Sequence, residues 1–323
     1  MRARPPRPAA RTAGRVAVAA LSAALAAAGL TGCAGATGSD SPPRPAPVEA
    51  LPASTDAIAV EAEVYRTRID AARDGIQLSV TNEGDAALAL DGARLESPLL
   101  SAALERIDDA VIPAGATRDL PMTLVEPRCP ASPEGRAPDA PEAVLLVPLA
   151  DGSVTELRVP TTDRIGQWAA WVESACFAQA VAERVELSVR ADGGAGGTIG
   201  VELVVRPREG PVGDRGGAEV VRLMSVSGTV LLGALDAAGE RAEGIPLDVV
   251  VDPASPTVAP IVVPLRFSPN RCDAHAIADD KQGTLFRVGV ALGERTGTVT
   301  IVSDDATKEA LYAALTASCA AND

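Results

Sequence analysis

Residues 185–205 read Val185-Glu186-Leu187-Ser188-Val189-Arg190-Ala191, then Asp192-Gly193-Gly194-Ala195-Gly196-Gly197-Thr198, then Ile199-Gly200-Val201-Glu202-Leu203-Val204-Val205. Apolar residues recur at alternate positions on both flanks, and successive side chains of a strand point to opposite faces. Each run can therefore bury one face and wet the other. A glycine-rich stretch between two such runs is a hairpin signal. The same glycines fail the dinucleotide pattern G-x-G-x-x-G, because Ile199 takes the last position and a strand follows where a helix is needed.

Period two extends outward from this hairpin. Ile76-Gln77-Leu78-Ser79-Val80 alternates strictly and is closed by Asn82-Glu83-Gly84-Asp85. Leu120, Met122 and Leu124 alternate, as do Ile261, Val263, Leu265 and Phe267. Runs at Val144-Leu145-Leu146-Val147 and Leu285-Phe286-Arg287-Val288-Gly289-Val290 are each followed by a turn, Asp151-Gly152 or Gly293-Glu294, and by a second strand, 154–159 or 298–302. Short strands separated by Gly, Asp and Pro turns predict a mainly β chain of antiparallel sandwich type. Pro121, Pro148 and Pro264 interrupt strand candidates and suggest sheet edges.

The cysteines divide this pattern in two. Beyond Cys33 the chain holds Cys129, Cys176, Cys272 and Cys319, and four cysteines allow three pairings. Cys129 and Cys176 are 47 apart, as are Cys272 and Cys319, and an arginine precedes the first of each pair (Arg128, Arg271). Two copies of one module, each with its own disulfide, explain this economically. Closing such a loop contributes roughly 4 kcal/mol in the chain-entropy model. Zinc ligation is the rival reading, but there is no C-x-x-C pair and His275 is the only histidine. A shift of 143 residues sets Trp168 on Leu311, Val172 on Leu315 and Cys176 on Cys319. Positions four apart share a helix face, so each copy should finish on a helix with an apolar stripe.

The N-terminus reads as an address. Arg2, Arg4, Arg7, Arg11 and Arg15 precede an apolar run from Val16 to Leu30. At about 1.5 Å per residue that run spans roughly 22 Å, short of a ~30 Å hydrocarbon core, which points to a signal peptide rather than a permanent span. Leu30-Thr31-Gly32-Cys33 resembles a bacterial lipobox, which implies cleavage before Cys33 and a diacylglycerol on its sulfur. The competing cleavage, after Ala34-Gly35-Ala36, would discard Cys33. Residues 1–32 are thus read as signal peptide and 33–57 as lipidated cysteine and tether, with Pro42, Pro43, Pro45 and Pro47. Residues 58–180 are read as a first sandwich module and 181–323 as a second. Extended at about 3.1 Å per residue, the tether would reach roughly 75 Å. An exported chain meets an oxidising environment, in which disulfides persist.

Charge narrows the partners. Formal net charge is −14, and loss of five arginines with the signal takes it to −19. Such a chain is repelled by nucleic acid and by anionic headgroups, so membrane contact is expected only through the lipid anchor. Seven aromatic residues leave little for the stacking platforms that sugar-binding modules use, which disfavours glycan binding.

Two features could carry chemistry. Cys272-Asp273-Ala274-His275 with Asp279-Asp280-Lys281 is the most polar cluster; Asp273, His275 and Asp279 are candidate metal ligands, and His275 a candidate base. The matching stretch of the first copy, Pro130-Ala131-Ser132-Pro133-Glu134, has no histidine, and no hydrolase or metalloprotease motif accompanies the cluster. A structural loop beside the disulfide is the preferred reading. Trp171, which matches Ala314, is an extra aromatic that could pack between modules, sit in the local core or meet a partner.

The mature chain resembles a group of actinobacterial exported lipoproteins with two tandem immunoglobulin-like modules. The resemblance rests on Val80-Thr81-Asn82-Glu83-Gly84-Asp85, Ile112-Pro113-Ala114-Gly115-Ala116-Thr117, and Arg271-Cys272-Asp273-Ala274-His275 with Asp280-Lys281-Gln282-Gly283-Thr284. It implies no catalytic residue and no cofactor. The expectation is a non-enzymatic, membrane-anchored binding or scaffolding protein on the extracytoplasmic face. The alternatives are an accessory subunit of an envelope complex with Trp171 as its contact, or an enzyme or metal-binding protein using the His275 region.

Overall fold

The computed structural model describes residues 51–71, 73–129, 138–194, 197–208, 219–252, 259–273, 275, 277 and 284–321. Leu30, Thr31, Gly32, Cys33, the expected signal and almost all of the tether lie outside the described residues, as does Asp279. The chain is mainly β, with 49% of the described residues in strands and 17% in helices.

The first group of strands is built on β1 (Val60–Tyr65) and β2 (Gly75–Asn82), joined through the short helix α1 (Arg68–Ala71). A seven-stranded order β5-β4-β8-β9-β1-β2-β7 adds β4 (Gly92–Glu96), β5 (Leu104–Arg106), β7 (Thr117–Thr123), β8 (Glu142–Pro148) and β9 (Val154–Asp163). A separate pair joins β3 (Leu88–Leu90) to β6 (Ala110–Ile112). Alternate residues turn inward, so Val64, Ile76, Leu78, Val80, Leu95, Leu120 and Leu145 form a core with Trp168 and Val172.

One pairing departs from the antiparallel expectation: β1 runs parallel to β9, with Ala62 opposite Thr161 and Val64 opposite Asp163. The cause lies in β9, whose ten residues serve two partners. Its first part pairs with β8 as far as Pro160, opposite Glu142, and its last three residues pair with β1. A proline has no N–H to continue a ladder, so the strand changes partner there. Pro121 lies in β7, an edge strand, as expected. Pro148 instead ends the interior strand β8, where its missing N–H costs no further pairing.

The second group forms two four-stranded sheets. One runs β10 (Val185–Ala191), β11 (Ile199–Pro207), β15 (Ile261–Pro269), β13 (Leu232–Ala234). The other runs β14 (Gly244–Val251), β12 (Val221–Ser227), β16 (Leu285–Leu292), β17 (Arg295–Val302). The β10–β11 pair is the hairpin read from residues 185–205, with Val185 opposite Pro207 and Ala191 opposite Val201. Pro264 lies in β15, short of the three residues that pair with β13, so its flank there is locally an edge. Phe267 and Phe286 meet edge-on in this core, with centroids 5.6 Å apart. The helix α3 (Asp305–Ala321) closes it with Leu311, Leu315 and Cys319.

The helix α2 (Gln167–Ala182) belongs to both cores. Trp168 and Val172 enter the first, whereas Phe177 and Val181 enter the second. Five residues separate Val172 from Phe177, which turns the buried stripe by about 140°. The helix thus runs six residues beyond Cys176, and the expected boundary at 180/181 falls in its last turn. Residues 49–323 cohere as one compact unit. Disulfides join Cys129 to Cys176 and Cys272 to Cys319, with Cα atoms 5.4 and 5.5 Å apart. Among the described residues, no helix is long and apolar enough to cross a membrane.

Phe177 seats on a glycine. A Cβ built on Gly297 in β17 would lie 2.7 Å from the Phe177 ring. Gly297→Ala should therefore cost about 1–3 kcal/mol by overpacking, and Phe177→Ala about 3–5 kcal/mol by leaving a cavity. In urea titrations the double variant should lose clearly less than the sum of the two, since the alanine at 177 removes the clash.

Candidate functional site

Arg271 and Cys272 lie on the surface. Asp273 and His275 are both exposed, and the Ile277 amide donates to the Asp273 carbonyl at 3.2 Å. That bond makes a helical turn, in which residues two apart diverge by about 200°. Asp273 and His275 therefore do not share a face as they would in an extended strand. Ile277 packs against the second core, and the turn follows the Cys272–Cys319 bond, whose Cys319 is buried. Among the described residues no group of three His, Cys, Asp or Glu side chains converges as metal ligands would.

Trp171 is half-buried, and its ring centroid lies 5.3 Å from that of Trp168. It packs against the first core. Its neighbour Trp168 is fully buried and donates its indole N–H to the Asp139 carbonyl at 2.9 Å.

A tight polar knot, which the sequence did not advertise, fixes where α2 begins. The Asp163 carboxylate accepts the backbone N–H groups of Gln167, Trp168 and Ala169 at 2.9, 3.2 and 3.1 Å, satisfying donors that a helix start leaves open. Gln167 exchanges two hydrogen bonds with the backbone of Arg66, at 2.9 and 2.7 Å. Arg66 donates to the Gly75 carbonyl, and burial pulls its guanidinium below the usual arginine range. Nearby, Asp70 accepts from the Thr67 hydroxyl and amide and from Gln77. Burial raises the Asp70 carboxyl, but these donors and Arg66 outweigh it and hold it below the usual carboxylate range.

A concavity lies where α2 passes from one core to the other. It holds about 550 Å³ and has an aliphatic floor of Ala178, Val181, Val185, Leu187, Val299 and Ile301. Glu126, Gln179, Glu186, Thr300 and Arg208 stand round it. Pro127 and Ala175 extend the lining to the neighbours of Cys129 and Cys176. Junctions between folded units are common places for ligand sites, and the volume falls in the ordinary range.

The outer face of β4, β8 and β9 is a charge ladder. Arg94 meets Glu156 at 2.6 Å, and Arg158 meets Glu142 at 2.5 Å and Glu96 at 3.0 Å. These are exposed or half-exposed pairs on a solvated face, each worth a fraction of a kcal/mol at most.

No known protein family matches the chain, and no curated protein matches it. Solved structures resemble it only distantly. Red sea bream transglutaminase is 14% identical over 77% of this chain and 31% of its own, with a TM-score of 0.20. The exo-chitosanase CsxA of Amycolatopsis orientalis is 12% identical over 78% and 27%, with a TM-score of 0.19. The B domain of a biofilm-associated protein is 8% identical over 78% and 88%, also at 0.19. The chain thus spans less than a third of the first two, and likenesses this weak carry no functional argument.

Two substitutions test the polar groups directly. His275→Ala should leave the thermal unfolding midpoint unchanged, because an exposed side chain outside both cores does not support the fold. Asp70→Asn should lower stability near neutral pH by about 1–3 kcal/mol. A carboxyl depressed in the folded state stabilises above its unfolded pKa, and this is lost as pH falls through the folded value. The gap between wild type and Asp70→Asn should therefore close below about pH 4 in urea titrations.

Proposed function

We propose that the chain is a lipid-anchored, extracytoplasmic binding or scaffolding protein made of two tandem immunoglobulin-like modules, with no catalytic role. Strand order supports the tandem reading. The first group holds β1-β2-β7 and β9-β8-β4-β5, joined into one sheet through β1–β9, and the second holds the same order in two separate sheets, β10-β11-β15 with β13 added and β17-β16-β12-β14. In each, a cysteine beyond the third strand of the first set is bonded to the helix that closes the group.

The scaffold reading rests on the two ends of the first group. The Pro52 carbonyl accepts the Ala150 amide at 3.0 Å, in the turn between β8 and β9. The helix α2 departs from the other end of β9, roughly 33 Å away at ~3.3 Å per residue. A tether preceding residue 51 would thus join the end remote from the second group. With α2 seated in both cores, the second module is held out from the anchor on a stiff joint. Cys33 would supply the anchor, and the acidic surface would keep both modules off anionic headgroups.

Cys33→Ala decides the anchor. Wild-type protein should incorporate a fatty-acid probe and fractionate with membranes, whereas the variant should be unlabelled and either released or unprocessed. An unlabelled wild type whose mature N-terminus lies beyond Cys33 would sink this reading. A stoichiometric partner recovered by crosslinking in intact cells would move the assignment to an accessory subunit.

A further inference from the structure

The two disulfides differ in what a thiol can reach and expel. Cys129 and Cys176 are both half-buried, and the junction groove opens beside them through Glu126, Pro127 and Ala175. The Gln179 side-chain oxygen Oε1 lies 3.1 Å from the Cys129 sulfur. In the other bridge Cys272 is exposed, but Cys319 is only 8% exposed and sits with Leu311 and Leu315 in the second core.

Thiol–disulfide exchange needs access to one sulfur and a good departure from the other. Attack on Cys272 must expel the Cys319 thiolate into apolar surroundings, where its charge is disfavoured. Attack on Cys319 is blocked by the core. At the junction, attack on Cys176 expels Cys129, which is half-buried next to the groove and in neither core, and rotation of the Gln179 amide away from its present Oε1 contact brings an N–H to the new thiolate.

We propose that Cys129–Cys176 is the exchange-reactive disulfide of this chain, opened by a dithiol reductant ahead of Cys272–Cys319, and that its opening loosens the joint between the two cores. The reductant's thiolate forms a sulfur–sulfur bond with Cys176 as the Cys129–Cys176 bond breaks, and the Cys129 thiolate takes a proton from water. The reductant's second thiolate then attacks its own mixed disulfide and releases Cys176, which is also protonated. Two electrons and two protons pass from the dithiol to the protein, and the reductant leaves as a disulfide.

The consequence follows from where the bridge is placed. The loop from Leu124 to Cys129 is held on the first group by the Arg128 amide on the Leu99 carbonyl and the Ser101 amide on the Glu126 carbonyl. The bridge clamps α2 to that loop between Val172, in the first core, and Phe177, in the second. Once it opens, α2 keeps its four buried anchors but loses the clamp at the point where it changes cores. This inference does not depend on lipidation.

The test uses mature protein purified from cells in mild detergent, treated with graded dithiothreitol, quenched in acid and alkylated for peptide mapping. Cys129 and Cys176 should be labelled about tenfold or more faster than Cys272 and Cys319, and Gln179→Leu should slow that reaction. Equal rates, earlier labelling of Cys272 and Cys319, or all four appearing together on global unfolding would each overturn the proposal. Selective reduction should also raise amide hydrogen exchange along residues 172–182. Unchanged exchange there would refute the loosened joint.

Discussion

The contact between Phe177 and the bare backbone of Gly297 sets the character of this molecule. A helix that closed only the first core would leave a linker, and the two groups of strands would then move freely. Here α2 turns its stripe by about 140° over five residues and fills the second core with its last turns. The absence of a side chain at Gly297 leaves the ring room to lie on β17. Packing of this density resists small displacements, so the joint is defined by shape rather than by any single bond.

Much of the remaining polar structure serves the placement of that helix. Asp163 satisfies three amides at its start, Gln167 locks it to the Arg66 backbone just after β1, and the Cys129 bridge holds its middle. Asp70 and Arg66 are drawn into the same corner, where burial is tolerated because each finds partners at once. Elsewhere the polar side chains of β4, β8 and β9 face water as a charge ladder.

The sheet outer faces are not featureless. Two serine hydroxyls, Ser79 in β2 and Ser268 in β15, are buried without a hydrogen-bond partner among the described residues. Both are explained by what lies across them. Ser79 stands opposite Glu63 and Asp119 in register, a row closed by the Tyr65 hydroxyl on Asp119 and by Arg164 on Glu63. Ser268 lies beside Gly233, over which Arg241 reaches to the Pro269 carbonyl and Asn270. Side chains that cross a strand in this way stiffen a sheet without adding to its core.

The sequence by itself determined the strands with clean alternation, such as Ile76 to Val80 and the 185–205 hairpin, because period two is written locally. It also determined the two cysteine pairs, since equal separations of 47 residues and matched flanks need no tertiary knowledge. Strands of three residues, β3, β5, β6 and β13, were illegible because so short a run has no period. The parallel β1–β9 pair was illegible because it depends on β9 exchanging partners at Pro160, a choice made by neighbours distant in the chain. Nor did the sequence show the helical turn that parts Asp273 from His275, which is set by a backbone bond. Only tertiary structure decided that α2 serves two cores: Trp168, Val172, Phe177 and Val181 are all apolar in the sequence, and which sheet each one meets depends on where the second group of strands comes to rest.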